Sequence, residues 1–248
     1  MKKQPGFTLI ELSIVLLVTG LLLSGMLGAY QSQTEASRIR ETRQAMREAR
    51  EAIIGFALSR GHLPCPANPA LANSAAAAGQ EVRSGATGSC TYLDGVLPWA
   101  TLGVKESDAW GKRYSYRVTD YFADASNASI GPSATCTPAV DPAVSFAICS
   151  VGDITILPQA GALGGIPSVA VIVSHGKNLR GAYGPQGGAR LRGLAGDEQE
   201  NADGDASFVD HPFAHDANPL AAAYYDDLME WVSPSILIGK MATAGRLP

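Results

Sequence analysis

The sequence predicts an α+β protein in which one long N-terminal helix precedes an antiparallel β-sheet. No proline occurs between residues 31 and 59, and Ala, Glu, Arg, Gln and Met dominate that stretch, as in a stable helix. Residues 114–118 alternate apolar with polar side chains, which indicates a half-buried strand, and residues 169–174 contain a β-branched run typical of a buried strand. We therefore expect a helix over residues 7–59 whose C-terminal half packs on about four or five antiparallel strands.

The second half of the predicted helix is amphipathic. Ile39, Met46 and Ile53 recur every seven residues, and Thr42, Ala49 and Phe56 form a parallel series. This spacing places a narrow apolar stripe on one side of a helix whose other side carries alternating acidic and basic residues. The stripe predicts which side of the helix faces the globular domain.

The first half of the helix is apolar except at one position. From Leu12 to Tyr30 the chain has no charged residue, and a run of about 19 such residues is long enough to cross a bilayer as a helix. Lys2 and Lys3 precede the run, which favours a cytoplasmic N-terminus. Glu11 lies one turn inside the apolar stretch, where an ionised carboxylate is costly unless it is paired.

Residues 6–12, Gly-Phe-Thr-Leu-Ile-Glu-Leu, closely resemble the signal of type IV pilins and type II secretion pseudopilins. The resemblance implies a prepilin peptidase/N-methyltransferase that cleaves between Gly6 and Phe7 and then methylates the new Phe7 amine. It also implies that Glu11 faces the N-terminal ammonium of a neighbouring subunit, where two buried opposite charges offset each other's desolvation. The implied partners are that enzyme, other pilin or pseudopilin subunits, and an inner-membrane assembly platform.

The same resemblance divides the chain into three segments. We expect a prepilin leader peptide at residues 1–6, a transmembrane or filament-core helix at 7–30, and a pilin-like globular domain, periplasmic or extracellular, at 31–248. The protein would wait in the inner membrane as a single-pass subunit, with a cytoplasmic N-terminus and a periplasmic globular domain, and then enter a pilus or pseudopilus filament. A conventional signal peptide, cleaved after the apolar run, and a generic single-pass anchor are the alternatives, although Glu11 disfavours the first.

Four cysteines are expected on the periplasmic side, where disulfides persist. They can pair in several ways. The shortest loops result from Cys65–Cys90 and Cys136–Cys149, which we prefer. No Cys-x-x-Cys pair occurs, which disfavours zinc binding and thioredoxin-like chemistry.

A second resemblance concerns the start of the sheet. Residues 108–116, Asp-Ala-Trp-Gly-Lys-Arg-Tyr-Ser-Tyr, are similar to the segment that opens the sheet in major pseudopilins, with Ala109 where that family often has proline. Further strands are expected at 143–150 and 153–157. His175, in a turn that looks like one of the family's loops, is expected to be held by backbone hydrogen bonds.

One acidic segment predicts a possible metal site. Residues 197–205 contain five carboxylates and one asparagine. Oxygen ligands of this kind suit calcium, and major pseudopilins carry a calcium-binding loop at a similar late position. The candidate ligands are Asp197, Asn201, Asp203 and Asp205, although the segment is not an EF-hand and a solvated acidic loop is the alternative. His211 and His215 are four residues apart, but nearby prolines disfavour a helical metal site.

The function expected from the sequence is structural. A net charge of −4 without a basic patch predicts no nucleic-acid partner, and no nucleophile motif predicts an enzyme. We expect a minor or atypical subunit of a type IV pilus or a type II secretion pseudopilus. The alternative is a filament-tip or surface-binding (adhesion) module anchored by the same helix, although tip subunits of the family often lack a glutamate matching Glu11.

Overall fold

The chain forms two compact units, residues 1–40 and 41–248. The computed structural model describes residues 8–85, 88–125, 144–191, 195–214, 218 and 221–247, with only the backbone described for residues 22–31. In chain order, the elements are α1 (Leu9–Arg60), β1 (Asp94–Val96), α2 (Trp99–Leu102), β2 (Ser115–Val118), α3 (Asp120–Ala123), β3 (Ile154–Leu157), β4 (Ile166–Ser168), β5 (Ala170–Ser174), α4 (Asp197–Glu200), β6 (Ser207–Val209), β7 (Leu228–Val232) and α5 (Pro234–Thr243). The fold is α+β, as the sequence predicts.

The first unit is the beginning of α1, which starts at Leu9. The predicted start, Phe7, lies outside the described residues. The large apolar side chains between Leu9 and Leu21 are exposed, with Leu9 at 86% and Leu21 at 66%. Within the described part of the chain, no helix is both long enough and apolar enough to qualify as a membrane span.

In the second unit, the remainder of α1 buries one side. Met46, Ala49 and Ile53 lie on the predicted stripe, and each is at most 1% exposed. The helix ends at Arg60 because Gly61 adopts a positive φ of 83° while its N–H still bonds to the Ala57 carbonyl. The predicted amphipathic half of the helix is therefore confirmed, with an end one residue later than expected.

The main sheet is antiparallel and has the strand order β1-β2-β5-β7. β5 pairs with β2 on one side and β7 on the other, and all five of its residues are buried. Asp108 begins the turn that leads into β2, and its side chain fastens this turn to β5. Its Oδ1 accepts two backbone N–H groups of that turn, and its Oδ2 accepts the Ser174 hydroxyl at 2.7 Å.

A second sheet of three strands, in the order β4-β3-β6, pairs β3 with β6 in parallel. Ile154 and Ile156 of β3 and Phe208 of β6 share a buried cluster with Val171 and Val173 of β5. Apolar side chains of β5 and of the second sheet therefore form one core. Neither the parallel pairing nor the C-terminal helix α5 was predicted from the sequence.

The strand predicted at residues 143–150 is wrong over its described part. Residues 144–150 form bends and a turn, in which the Ser150 hydroxyl accepts the Ala147 N–H at 3.0 Å. Phe146 is buried by stacking on Phe122, with ring centroids 4.6 Å apart. Side-chain packing therefore buries this apolar residue, although the segment does not pair as a strand.

The structure contains the predicted Cys65–Cys90 disulfide, which closes a loop with a sequence separation of 25 residues. The other predicted pairing, Cys136–Cys149, includes Cys136, which lies outside the described residues. Arg83 fastens the same loop to the end of α1, because its guanidinium donates to the carbonyl groups of Leu63 and Gly88. The loop is therefore fixed by both a covalent bond and a partly buried cation.

Truncation of Ile53 tests the packing of α1 on the globular unit. Ile53→Ala removes a fully buried side chain and should lower the free energy of unfolding by about 2–5 kcal/mol. Gln44→Ala, on the exposed side of the same helix, should change it by less than about 0.5 kcal/mol. Urea unfolding followed by tryptophan fluorescence measures both, and equal effects would contradict the packing described above.

Candidate metal centre

Three segments meet at one end of the main sheet. In the pairing of β5 with β7, Ser174 lies opposite Leu228. The turn at residues 175–181, which follows β5, is therefore next to residues 224–227, which precede β7. α4 reaches the same place, because Glu198 Oε1 accepts the backbone N–H of Asp226 at 3.1 Å.

Three buried carboxylates converge where these segments meet. Glu198, Asp226 and Asp227 each contribute one carboxylate oxygen, and these oxygens lie within 4.8 Å of one another. The three residues are 3%, 6% and 1% exposed, respectively. We call this group the carboxylate cluster.

Hydrogen bonds orient two members of the carboxylate cluster. Asp226 Oδ2 accepts the backbone N–H groups of Lys177 and Asn178, at 2.9 and 3.0 Å, and the Tyr224 hydroxyl at 2.9 Å. Glu198 Oε2 accepts the Asn178 side-chain amide at 2.7 Å. In contrast, Asp226 Oδ1 is buried and has no hydrogen-bond donor among the described residues.

In Asp227, as in Asp226, only one of the two carboxylate oxygens accepts hydrogen bonds from the described residues. Its Oδ2 accepts the side-chain amide of Asn201 at 2.9 Å, and Asn201 is itself held by the backbone of Val209. Its Oδ1 is buried and receives no hydrogen bond from the described part of the chain. Two carboxylate oxygens in the cluster therefore lack the partner that a buried polar atom normally has.

Next to the carboxylate cluster lies a row of contacting polar side chains that was not predicted from the sequence. His175 Nε2 lies 2.9 Å from Ser115 Oγ, and His175 Nδ1 lies 3.5 Å from Asp227 Oδ1. The expectation that backbone hydrogen bonds hold His175 is wrong, since both ring nitrogens lie next to side-chain oxygens, those of Ser115 and Asp227. The order Ser–His–Asp resembles a hydrolytic triad. However, these residues are at most 2% exposed, so a substrate cannot reach the serine, and the 3.5 Å separation exceeds a hydrogen bond.

Glycine is required at two positions beside the cluster. Gly176 has a φ of +53°, and a Cβ there would lie 2.3 Å from the Asp226 carbonyl oxygen. Gly181 has a φ of +80°, and a Cβ there would lie 2.9 Å from His175 Nδ1. Larger residues would push the turn at 175–181 away from the carboxylates, so these glycines permit the close approach.

Negative charge in the cluster is not balanced within the described structure. Burial, followed by repulsion from Asp227, raises the pKa of Glu198 to about 8. Burial also raises the pKa of Asp226, although the hydrogen bond from Tyr224 opposes the rise. No lysine or arginine side chain in the described ranges forms an ion pair with any of the three carboxylates. Without a cation, Glu198 holds a proton at neutral pH.

The donor set of the cluster fits a hard divalent cation. Calcium takes six to eight oxygen ligands, commonly carboxylates and carbonyl groups. One oxygen from each of the three carboxylates lies close enough to the others for the three to share one ion. His175 is not part of the converging group, which favours an oxygen-binding cation over zinc.

The four ligands predicted in the acidic segment lie in different surroundings. Asp197 accepts the Ala160 N–H, and its Oδ2 lies 3.1 Å from His211 Nε2. Asp203 and Asp205 are exposed and accept backbone N–H groups of their own loop. Asn201 alone adjoins the carboxylate cluster, as a hydrogen-bond donor. His215, the other half of the alternative histidine pair, lies outside the described residues.

The members of the carboxylate cluster were missed because they are distant in sequence. Glu198 lies in the acidic segment but is not among the four predicted ligands, and the sequence predicts no metal-binding role for Asp226 or Asp227. The sequence did contain one signal for this site, two adjacent acidic residues directly before an apolar strand, because such residues lie at the end of the sheet where loops meet.

At the N-terminus, Thr8 and Glu11 form a capping box. The backbone N–H and the hydroxyl of Thr8 donate to Glu11 Oε2 at 2.9 and 2.8 Å, and Thr8 Oγ1 accepts the Glu11 N–H at 3.3 Å. Gly6 and Phe7, the predicted cleavage site, lie outside the described residues. In the single chain, the Glu11 carboxylate is therefore satisfied by its own helix end.

Comparison with known proteins identifies the N-terminal signal. Residues 1–27 match the family described as the prokaryotic N-terminal methylation motif. No curated protein and no solved structure matches the chain. This motif is the signal of type IV pilins and pseudopilins, so the chain carries the N-terminus of a precursor of that type, and its α+β fold is consistent with a pilin-like one.

Stability of the metal-free protein should depend on the pKa of Glu198. The folded-state pKa of about 8 lies above the ordinary value of 4.5, so between these values the folded state binds more protons than the unfolded state. The free energy of unfolding should therefore fall as the pH rises from about 5 to 8.

Glu198→Gln removes this titrating group. In chelator, the pH-dependent loss should be smaller in Glu198→Gln than in the wild type by at least about 1 kcal/mol. Asp203→Asn, which alters an exposed carboxylate, should follow the wild-type profile. Urea titrations at several pH values provide the comparison, and parallel curves for all three proteins would contradict the buried, uncompensated charge.

Proposed function

We propose that this chain is a structural subunit, minor or atypical, of a type IV pilus or a type II secretion pseudopilus. The observation that carries the proposal is the methylation motif at residues 1–27. The exposed apolar side chains of α1 between Leu9 and Leu21 support it, because such a surface needs lipid or other helices around it. The proposal is structural rather than catalytic, since the Ser115–His175–Asp227 chain is buried.

In this proposal, the segment at residues 1–6 is removed by the prepilin peptidase/N-methyltransferase and Phe7 becomes the methylated N-terminus. The apolar helix at 7–30 first holds the subunit in the inner membrane, with the globular domain periplasmic. An assembly platform then moves it from lipid into contact with the helices of other subunits. Apolar surface remains covered throughout, so the transfer does not expose it to water.

Glu11 supplies the specificity of this transfer. Its carboxylate is bound to Thr8 in the single chain, at 2.8–2.9 Å. In a filament, the N-terminal ammonium of a neighbouring subunit would pair with it, and a buried charge without its partner costs several kcal/mol. The pair therefore favours one register of helices over others.

A minor or atypical role is favoured by the size of the globular unit. The chain has 248 residues and includes a loop closed by the Cys65–Cys90 disulfide and a second, three-stranded sheet. These additions enlarge the surface that is available to partners beyond a helix on a single sheet.

A second proposal concerns the carboxylate cluster, which we infer binds calcium. Glu198, Asp226 and Asp227 would hold the ion, and its charge would replace the proton on Glu198. The ion would then join the turn after β5, the residues before β7 and α4 into one rigid end of the domain. Its role is stability of the fold, because metal that binds the folded state alone stabilises that state.

Replacement of Glu11 tests the filament proposal. Glu11→Ala should still be cleaved and methylated, since the cleavage site is intact, but its amount in filaments sheared from cells should fall by about tenfold or more because the neighbouring ammonium loses its partner. Glu48→Ala, an exposed position on the same helix, should assemble as the wild type does. Normal incorporation of Glu11→Ala, measured by immunoblot, would contradict the proposed pairing.

Calcium titration tests the metal proposal. Excess calcium, at about 100 times the Kd, should stabilise the wild type by about 2.7 kcal/mol. For a chain of this size, each kcal/mol raises Tm by about 2–4 °C. Asp227→Asn should lose this response, whereas Asp203→Asn should keep it. The opposite result would assign the ion to the acidic segment, and no response in any protein would refute calcium binding.

A further inference from the structure

A groove beside α1 carries an unbalanced row of arginines. The groove has a volume of about 460 Å³ and lies within the second unit, between α1 and the edge strand β7. We call it the arginine groove, and it is lined by Arg43, Arg47, Arg50, Asp210, Met229, Glu230, Trp231, Ser233 and Ile236. The three arginines are at spacings of four and three residues, which places them on one side of the helix.

Two of the three arginines have partners within the groove. Arg50 donates to Glu230 at 3.0 Å. The guanidinium of Arg43 lies 5.7 Å from the centre of the Phe213 ring, and its charge opposes the rise in the pKa of Asp210 that burial causes. Arg47 is exposed and forms no ion pair or hydrogen bond within the described ranges. The groove therefore presents one guanidinium that can bind a further carboxylate.

The floor of the groove suits a protein segment better than a free ion. Met229 and Trp231 of β7 line the groove, but their half-buried side chains also pack against the apolar core of β5 and the second sheet, so only part of each is open to a bound segment. Among the described residues, β7 is the last strand of its sheet and pairs with β5 alone. An open edge strand beside a cation can contact both the side chains and the backbone of a bound segment.

The same chain carries a complementary segment elsewhere on the second unit. The acidic loop, residues 197–205, points Glu198 into the carboxylate cluster but leaves Asp203 and Asp205 exposed. Burial, followed by the charges of Asp205 and Asp203, raises the pKa of Glu200, which shows how crowded the negative charge is. Neither Asp203 nor Asp205 forms an ion pair in the described structure.

We propose that the arginine groove of one copy binds the acidic loop of a second copy, with Arg47 facing the carboxylates of Asp203 and Asp205. Because groove and loop are different surfaces, the contact is head-to-tail, and it requires that two copies of this chain be neighbours in the filament. A guanidinium and a carboxylate can form two parallel hydrogen bonds, which fixes orientation as well as distance. This inference rests on the proposed filament function and names one contact between its globular domains.

Cysteine crosslinking tests the contact in the assembled state. Full-length Arg47→Cys and Asp203→Cys chains with different tags are co-expressed, and filaments are oxidised before shearing. The expected result is a disulfide-linked species that carries both tags and is absent when either variant is expressed alone. Arg60→Cys with Asp203→Cys is the matched control, since Arg60 is an exposed arginine of α1 outside the groove. An equal yield from the control pair, or no mixed species, would overturn the proposal.

Charge reversal provides an independent measurement. Arg47→Glu should reduce the chain in sheared filaments by at least about fivefold, because like charges would then face each other. The double variant Asp203→Lys/Asp205→Lys should show a similar loss, and the two changes combined should restore most of the assembly. Full assembly of the Arg47→Glu chain, or no restoration in the combined variant, would refute the contact.

Different results would refute the filament proposal and the groove proposal. If wild-type filaments contain processed chain and the Arg47 variants assemble normally, the groove proposal is wrong and the filament proposal stands. If no processed chain occurs in any filament, the filament proposal fails, and the contact that rests on it fails as well.

Discussion

This structure depends on buried carboxylates that form no ion pair with a lysine or arginine among the described residues. Glu198, Asp226 and Asp227 are buried together, and two of their oxygens have no donor among the described residues. Buried charge of one sign is unfavourable unless a proton or a metal ion neutralises it. The stability of this end of the domain is therefore tied to pH and, in our proposal, to calcium.

The topology of the main sheet imposes this arrangement. β7 pairs along the whole of β5, so the residues before β7 must lie against the turn after β5. Gly176 lets that turn approach Asp226 more closely than any side chain would allow. The antiparallel pairing that builds the apolar core thus also brings acidic side chains together. His175 lies beside these carboxylates and contacts Ser115, which connects the cluster to β2.

The acidic loop links the two proposed interactions of the globular unit. One of its carboxylates, Glu198, faces inward to the cluster, whereas Asp203 and Asp205 face solvent. An ion at the cluster would hold α4 in place and so fix the position of the exposed pair. Metal binding and subunit contact would then be coupled through a few residues of one short segment.

The spacing and composition of neighbouring residues predicted those elements whose formation depends mainly on neighbours in the chain. The seven-residue stripe of α1, the strand at residues 115–118, the β-branched β5 and the Cys65–Cys90 disulfide all follow from spacing and composition. Non-local pairing was not predictable in this way. The parallel pair β3–β6 joins strands about 50 residues apart, and the cluster joins residues from three segments, so only the completed topology shows them. The acidic segment was found by composition, but which of its side chains turn inward is decided by the packing of α4.

The measurement that tests the central claim most directly is the intact mass and N-terminal sequence of the protein from its native membrane. We expect a mature chain that begins with N-methylated Phe7 and lacks residues 1–6. A chain that still begins at Met1, or one cleaved after the apolar run near Ala29, would contradict it, because neither could present the methylated amine to Glu11 of a neighbouring subunit.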